Sequence, residues 1–303
     1  MRQIYSEEST PSVIPSKRWS IFSSGNYPYV CARVRAKRAS LLPVDTYRKL
    51  LVMDIHEITR FLGESRYKKE INDLGLNTSG YHLIESALDR NIAEVYQQIL
   101  GYCEGDLKIM LSAYLQREDI WNIKAILRGK SYNAKPEDIM KAVRSTGKYP
   151  EHYWKNIVQK SKTVQETIDH LKGNDYYDIV KAFGQEWEQN PAECENKLEQ
   201  TYYRFLLSSV HSRSEPNRLF LEFIREEIDL VNIKTLCMTK FESVESTALC
   251  SMIIPGGKIP EKTMQLLCNA PDFERFLEEC QKISEYEVLR DSLGTIKQTG
   301  SLS

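Results

Sequence analysis

An internal repeat constrains this chain more than any other feature. The segment Asp119-Ile120-Trp121-Asn122-Ile123-Lys124 returns as Asp229-Leu230-Val231-Asn232-Ile233-Lys234, with every position shifted by 110. A second pattern recurs three times. It runs LPVDTYRKLL from Leu42 and closes on Arg60-Phe61-Leu62; it appears more loosely as YPEHYWKNIV from Tyr149; and it runs IPEKTMQLL from Ile259 and closes on Arg275-Phe276-Leu277. The prolines, Pro43, Pro150 and Pro260, are spaced by 107 and then 110 in the numbering. A unit of that length is too long for a solenoid repeat and matches a small domain. The spacing predicts three related modules in tandem, over 26–105, 106–215 and 216–303. Residues 1–25 mix Ser, Pro, Arg and Glu without an apolar period and read as a flexible extension. A third Asp-x-x-Asn copy falls near position 342, beyond Ser303. The third module is therefore expected to be truncated, with an exposed apolar seam and an unpacked tail, SLGTIKQTGSLS.

The modules are predicted to be helical, giving an all-α chain. Gly (14) and Pro (11) together are about 8% of the residues, against an average near 12%. Ile84, Leu88, Ile92, Val95 and Ile99 step by four, four, three and four, which makes one stripe on a helix that Thr78 or Ser79 is placed to cap. Tyr47, Leu51, Ile55, Ile58 and Leu62 make a second stripe behind Pro43. Leu221, Ile224, Ile228 and Val231 make a third. Strict apolar alternation is rare, so strands are at most incidental.

Charge and cysteine usage exclude several classes. Lys plus Arg number 41 and Asp plus Glu 42, for a net charge of −1, which is no footprint for nucleic acid or an anionic membrane surface. No run of apolar residues is long enough to span a bilayer, and the segment 1–25 is not a secretory signal. Seven irregularly spaced cysteines without a Cys-x-x-Cys read as core thiols in a reducing compartment.

Catalytic spacings are missing too. His56, His82, His152, His170 and His211 form no His-Glu-x-x-His pair, and there is no G-x-S-x-G elbow, so no catalytic, cofactor or metal residue is assigned. Pro255-Gly256-Gly257-Lys258 superficially resembles a phosphate loop. The spacing is wrong, and Ile259-Pro260 follows where a hydroxyl residue is needed, so it reads as a turn. Leu127-Arg128-Gly129-Lys130 reads as a helix end with basic residues against its negative pole. Asp119 with Asn122, and Asp229 with Asn232, are poor helix formers set in apolar helices. They are expected to form inter-helix polar pairs that fix register, or alternatively a protein-binding face. Arg33, Arg35, Lys37 and Arg38 form a basic stretch that reads as a solvated charge run or as a patch for an acidic partner.

Five segments in order, NYPYVCARVRAKR, MDIHEITRFLGES, DIWNIKAILRGK, FLEFIREEIDLVNIK and IIPGGK, resemble the C subunit of archaeal A-type ATP synthases, a family related to the d subunit of vacuolar proton pumps. The resemblance covers nearly everything after Gly25. It implies a funnel of three similar helical modules, peripheral on the cytoplasmic side of the cell membrane, between the proteolipid ring and the D and F subunits of the central shaft. It implies a non-catalytic rotor subunit without cofactors, with Arg33, Arg35, Lys37 and Arg38 expected at a partner interface. It also implies a further helix pair bearing an Asn-Leu-Arg pattern, the third copy placed by the repeat. The competing reading from the residues alone is an all-α ligand-binding protein or enzyme whose site assembles in space.

Overall fold

A computed structural model of the chain describes residues 25–184, 186–211, 214–241 and 249–283. The expected N-terminal extension, apart from Gly25, and the expected unpacked tail lie outside the described residues. Among the described residues every regular element is helical and there is no strand, so the chain is all-α.

Proline and short polar side chains set most of the helix starts. The first repeat holds α1 (Tyr27–Ala39), α2 (Val44–Leu50), α3 (Ile55–Gly63), α4 (Lys68–Leu74) and α5 (Gly80–Tyr102). The second holds α6 (Gly105–Leu115), α7 (Arg117–Ser131), α8 (Pro136–Lys141), α9 (Glu151–Lys160), α10 (Val164–His170), α11 (Tyr177–Phe183) and α12 (Pro191–Ser209). The third holds α13 (Glu215–Phe241), a short 3₁₀ turn (Cys250–Met252), α14 (Glu261–Cys268) and α15 (Phe273–Cys280). Pro43, Pro150 and Pro260 are the N-cap residues of α2, α9 and α14, with ψ of 152°, 161° and 141°. The next helix in each repeat is capped by a side chain: Asp54 accepts from the Glu57 N–H, Thr163 from Glu166 and Asp272 from Arg275.

Those caps correct two expectations. The stripe from Tyr47 to Leu62 is split between two helices, because Asp54 opens a new one with a capping box. The shared Arg-Phe-Leu triplet also slips: Arg60 lies six residues past its cap and Arg275 only three, one helical turn apart and on the same face. A third correction concerns α5. Ser79 is its N-cap, but the side chain makes no capping bond. Its stripe is not the core face either, since Leu88 and Ile92 are exposed while Leu83, Ala87 and Ala93 are buried. The cysteines also divide: all seven are free thiols, but Cys31 and Cys250 are exposed.

The apolar interior forms three clusters. The smallest gathers Leu62, Ile71, Leu83 and Ala87 from α3, α4 and α5. The largest joins α7, α9, α10 and α12 around Trp154, with Ile123, Ile126 and Leu127 packed beside Ile157 and Val158. The last joins α13 to α14 and α15, with Ile233, Leu236 and Cys237 beside Met264, Leu267 and Cys268. Helix α13, 27 residues long, feeds both larger clusters, through Ile224 and Ile228 to one and through Ile233 and Leu236 to the other.

The Asn side chains join these helices to the loops that precede the prolines. Asn122 Oδ1 accepts from the Arg144 N–H and its Nδ2 donates to the Arg144 carbonyl, both at 2.8 Å. Asn232 treats Ile254 identically, again at 2.8 Å twice. A side-chain amide supplies the donor and the acceptor that both backbone groups of one buried residue require. Asn232→Asp, isosteric but without the donor, is therefore expected to destabilise the fold by about 2–3 kcal/mol, read as a lower midpoint in urea unfolding. An unchanged midpoint would show that the bracket contributes nothing.

Candidate subunit interface

Two sets of residues carry the candidate site: the Asp/Asn helices, which make a rigid frame, and the basic stretch, which that frame presents. In the frame the carboxylates complement the Asn brackets. Asp119 accepts from the N–H groups of Lys148 at 2.8 Å and Tyr149 at 3.3 Å. Asp229 accepts from Lys258 at 2.6 Å and Ile259 at 3.1 Å. Gly147 and Gly257 permit this approach, because a Cβ on either would overlap the carboxylate. The loop after Gly257 thus does hold a carboxyl group with backbone N–H groups, those of Lys258 and Ile259, and the group is the chain's own Asp229.

A third contact closes each frame. Lys130, buried near the end of α7, donates to the carbonyls of Val158 (2.7 Å) and Ser161 (2.6 Å), at the C-terminal end of α9. Its counterpart in the next repeat, Lys240, is also buried and donates to Ala270 O at 2.6 Å, just beyond α14. Lys130 therefore serves the negative pole of a neighbouring helix rather than that of its own. Asp119 meets the start of α9 and Lys130 its end, so α7 and α9 run parallel; α13 and α14 do the same. These polar residues bond the backbone of loops and helix ends.

Helix α13 is tied to α6, α7 and α12 by an ionic knot. Glu227 on α13 accepts from Tyr114 (2.9 Å), Tyr203 (2.7 Å) and Arg117 (3.1 Å). Burial disfavours the charge on Arg117, but the Glu227 carboxylate together with the phenols of Tyr114, Tyr202 and Tyr203 more than offsets it and holds the guanidinium above its ordinary pKa. Burial pushes the Tyr114 phenol up to about 12.

The basic stretch lies on α1 and is divided by the helical turn. Arg33 sits over the Tyr102 ring, 4.5 Å from its centre, and donates to the Tyr102 hydroxyl at 2.9 Å. That bond holds the phenol below its ordinary value. Lys37, one turn on, donates to Gln98 Oε1 at 2.5 Å. Both are spent on α5. Arg35 and Arg38 point elsewhere, are exposed, and among the described residues their guanidinium groups have no partner. The base of α1 is fixed by Asn26, which donates to Tyr102 O (2.9 Å) and accepts from the Glu104 N–H (3.1 Å). Tyr27 links it to Asn217 on α13 at 3.2 Å.

No three His, Cys, Asp or Glu side chains converge as metal ligands among the described residues, and no described helix is long and apolar enough to cross a membrane. Lys240 and Glu227 serve the frames without being evident in the sequence, and Lys130 is evident there only as a cation at its own helix end. The two lysines repeat at the same interval as the Asp/Asn pairs, so that interval is a usable signal; Glu227 has none.

Residues 30–302 match the family described as ATP synthase (C/AC39) subunit. The chain is 39% identical over 282 residues to the A-type ATP synthase C subunit of Methanosarcina acetivorans, covering 92% of this chain and 76% of that protein. It is 37% identical over 277 residues to the protein of that description from Methanococcoides burtonii, covering 91% and 75%. With the one from Archaeoglobus fulgidus it shares 33% over 246 residues, covering 81% and 70%.

Burial raises the Asp119 pKa from 3.8 to about 7, against the opposing pull of the Lys148 and Tyr149 N–H groups. Between those values the folded chain keeps a proton that the unfolded chain releases, so this group's contribution to stability declines as pH rises from about 4 to about 7 and is flat above. Asp119→Asn is expected to flatten that part of the stability-versus-pH curve, measured by urea unfolding at intervals across the window. A slope equal to that of the unaltered chain would refute the assignment.

Proposed function

The chain belongs to the ATP synthase (C/AC39) subunit family, and from that premise we propose that it is the rotor element coupling a proteolipid ring to the D and F subunits of the central shaft. It is a non-catalytic subunit of a rotary ATP synthase. In the proposed role ion flow turns the ring, the ring turns this subunit, and the shaft carries the rotation to catalytic sites in other subunits. The reading places it peripherally on the cytoplasmic side of the membrane, with its three modules arranged as a funnel of pseudo-threefold form.

The observation that carries this reading is the pair of frames. A coupler must transmit torque without bending. In each frame two parallel helices are fixed at both ends by bonds to buried polar groups, and the two frames are joined through Glu227. Arg35 and Arg38 supply an exposed basic edge on the helix that Asn26 and Tyr27 anchor, and charge of that kind governs encounter and specificity at a subunit contact.

A tagged chain expressed in its own cells is expected to recover the D and F subunits and the proteolipid from detergent-solubilised membranes. Arg35→Glu combined with Arg38→Glu is expected to lower that recovery about tenfold while leaving the thermal midpoint unchanged. Recovery of none of these subunits would overturn the coupling role. Full recovery with the double variant would remove the basic edge from the interface.

A further inference from the structure

One exposed thiol of this chain lies against a buried one. Cys250 opens the 3₁₀ turn and is exposed, whereas Cys268 ends α14 and is 1% exposed inside the third apolar cluster. The Cys268 thiol donates to Cys250 Sγ, and Cys250 Sγ donates in turn to Asn269 Oδ1 at 3.9 Å. The chain around Cys250 is held in that position from three sides. Leu249 and Met252 pack into the cluster that contains Cys268. On α12, Asn196 Nδ2 donates to Met252 O at 2.6 Å and Gln200 Nε2 donates to Ser251 O at 2.8 Å. Asn232 on α13 brackets Ile254 just beyond the turn.

The other five thiols do not combine exposure with a thiol partner. Cys237 and Cys280 are neighbours, but both are buried at 1% exposure or less. Cys103 and Cys194 are buried and donate to the backbone carbonyls of Ile99 and Phe183. Cys31 on α1 is exposed, and its thiol has no partner among the described residues.

We propose that Cys250 and Cys268 form a peroxide-responsive modification site that closes reversibly to a disulfide and so staples the 3₁₀ turn to α14. In the first step the Cys250 thiolate attacks the outer oxygen of a hydroperoxide. The O–O bond breaks, Cys250 becomes a sulfenic acid, and the departing oxygen takes up the proton that Cys250 released. In the second step the Cys268 sulfur attacks the Cys250 sulfur. The S–S bond forms, the S–O bond breaks, and hydroxide leaves with the Cys268 proton as water. The two thiols lose two electrons between them and the peroxide gains both. Burial and the Cys250 neighbour push the Cys268 thiol up to about 12, so its proton is still in place for that departure, and the exposed Cys250 is the sulfur that meets the oxidant. The site does not depend on the coupling role.

The test uses the full chain, reduced, freed of reductant and treated with hydrogen peroxide. After blocking with iodoacetamide and tryptic digestion without reduction, mass spectrometry is expected to find peptides 241–258 and 263–275, which carry one cysteine each, joined through Cys250 and Cys268. Dithiothreitol is expected to separate them. The urea midpoint of the linked chain is expected to rise, because the bond restricts the unfolded chain. Cys250→Ser, at an exposed position, is expected to abolish both the link and the rise, and Cys31→Ser to leave both intact. Cys268→Ser is expected to leave Cys250 as a sulfenic acid that dimedone traps. An unreacted Cys250, its unlinked sulfinic acid, a link to another cysteine or to a second chain, or a midpoint that does not rise would each overturn the proposal.

Discussion

A buried carboxylate gripping the backbone of a loop is the interaction on which the rest of this architecture depends. Asp119 and Asp229 lie inside apolar clusters, where an ionised group is unfavourable unless it is bonded. Each accepts from two N–H groups of a loop 29 and 30 residues further along. That requirement dictates the neighbourhood. The loop must carry a glycine so that the backbone comes close, and a proline so that the next helix starts at once beside the first. The Asn one turn on brackets a second point of the loop, and a lysine eleven residues beyond the Asp holds the far end of the next helix. Helix direction, loop path and helix spacing then follow from one short pattern.

That logic explains why a subunit can be rigid while containing little that reacts. The glycine loop that superficially resembles a phosphate cradle is already occupied by a carboxylate of its own chain. Lys130 and Lys240 are turned inward onto carbonyl oxygens rather than presented to a ligand. Groups that would be chemistry in another protein are consumed here in fixing helices, and the charge left facing outward is mainly on the surface helices.

Much of this is legible in the sequence, for a physical reason. Periodicity reports helices, and repetition reports the residues that repetition needs, so the Asp/Asn pairs and the three prolines stand out. What the pairs bind does not, because the acceptors and donors are backbone groups of loops, which leave no side-chain signature. The break at Asp54 is hidden because the apolar steps run straight across it, although a capping box is visible in Asp54 and Glu57. The α5 stripe misleads because a periodic apolar face is normally buried; periodicity cannot say which packing partner is present. The basic stretch looks uniform in one dimension, whereas one helical turn divides it into a pair bonded to α5 and a pair directed outward.

Helix α13 gives this arrangement a further property. Its first half belongs to one apolar cluster, where Glu227 is knotted to α6, α7 and α12, and its second half to the next. A single unbroken rod therefore serves as a common beam for two apolar clusters. Duplicated domains usually gain freedom from the linker that separates them. Here one helix packs into two apolar clusters, so that repetition in the sequence does not bring mechanical independence of the repeated units.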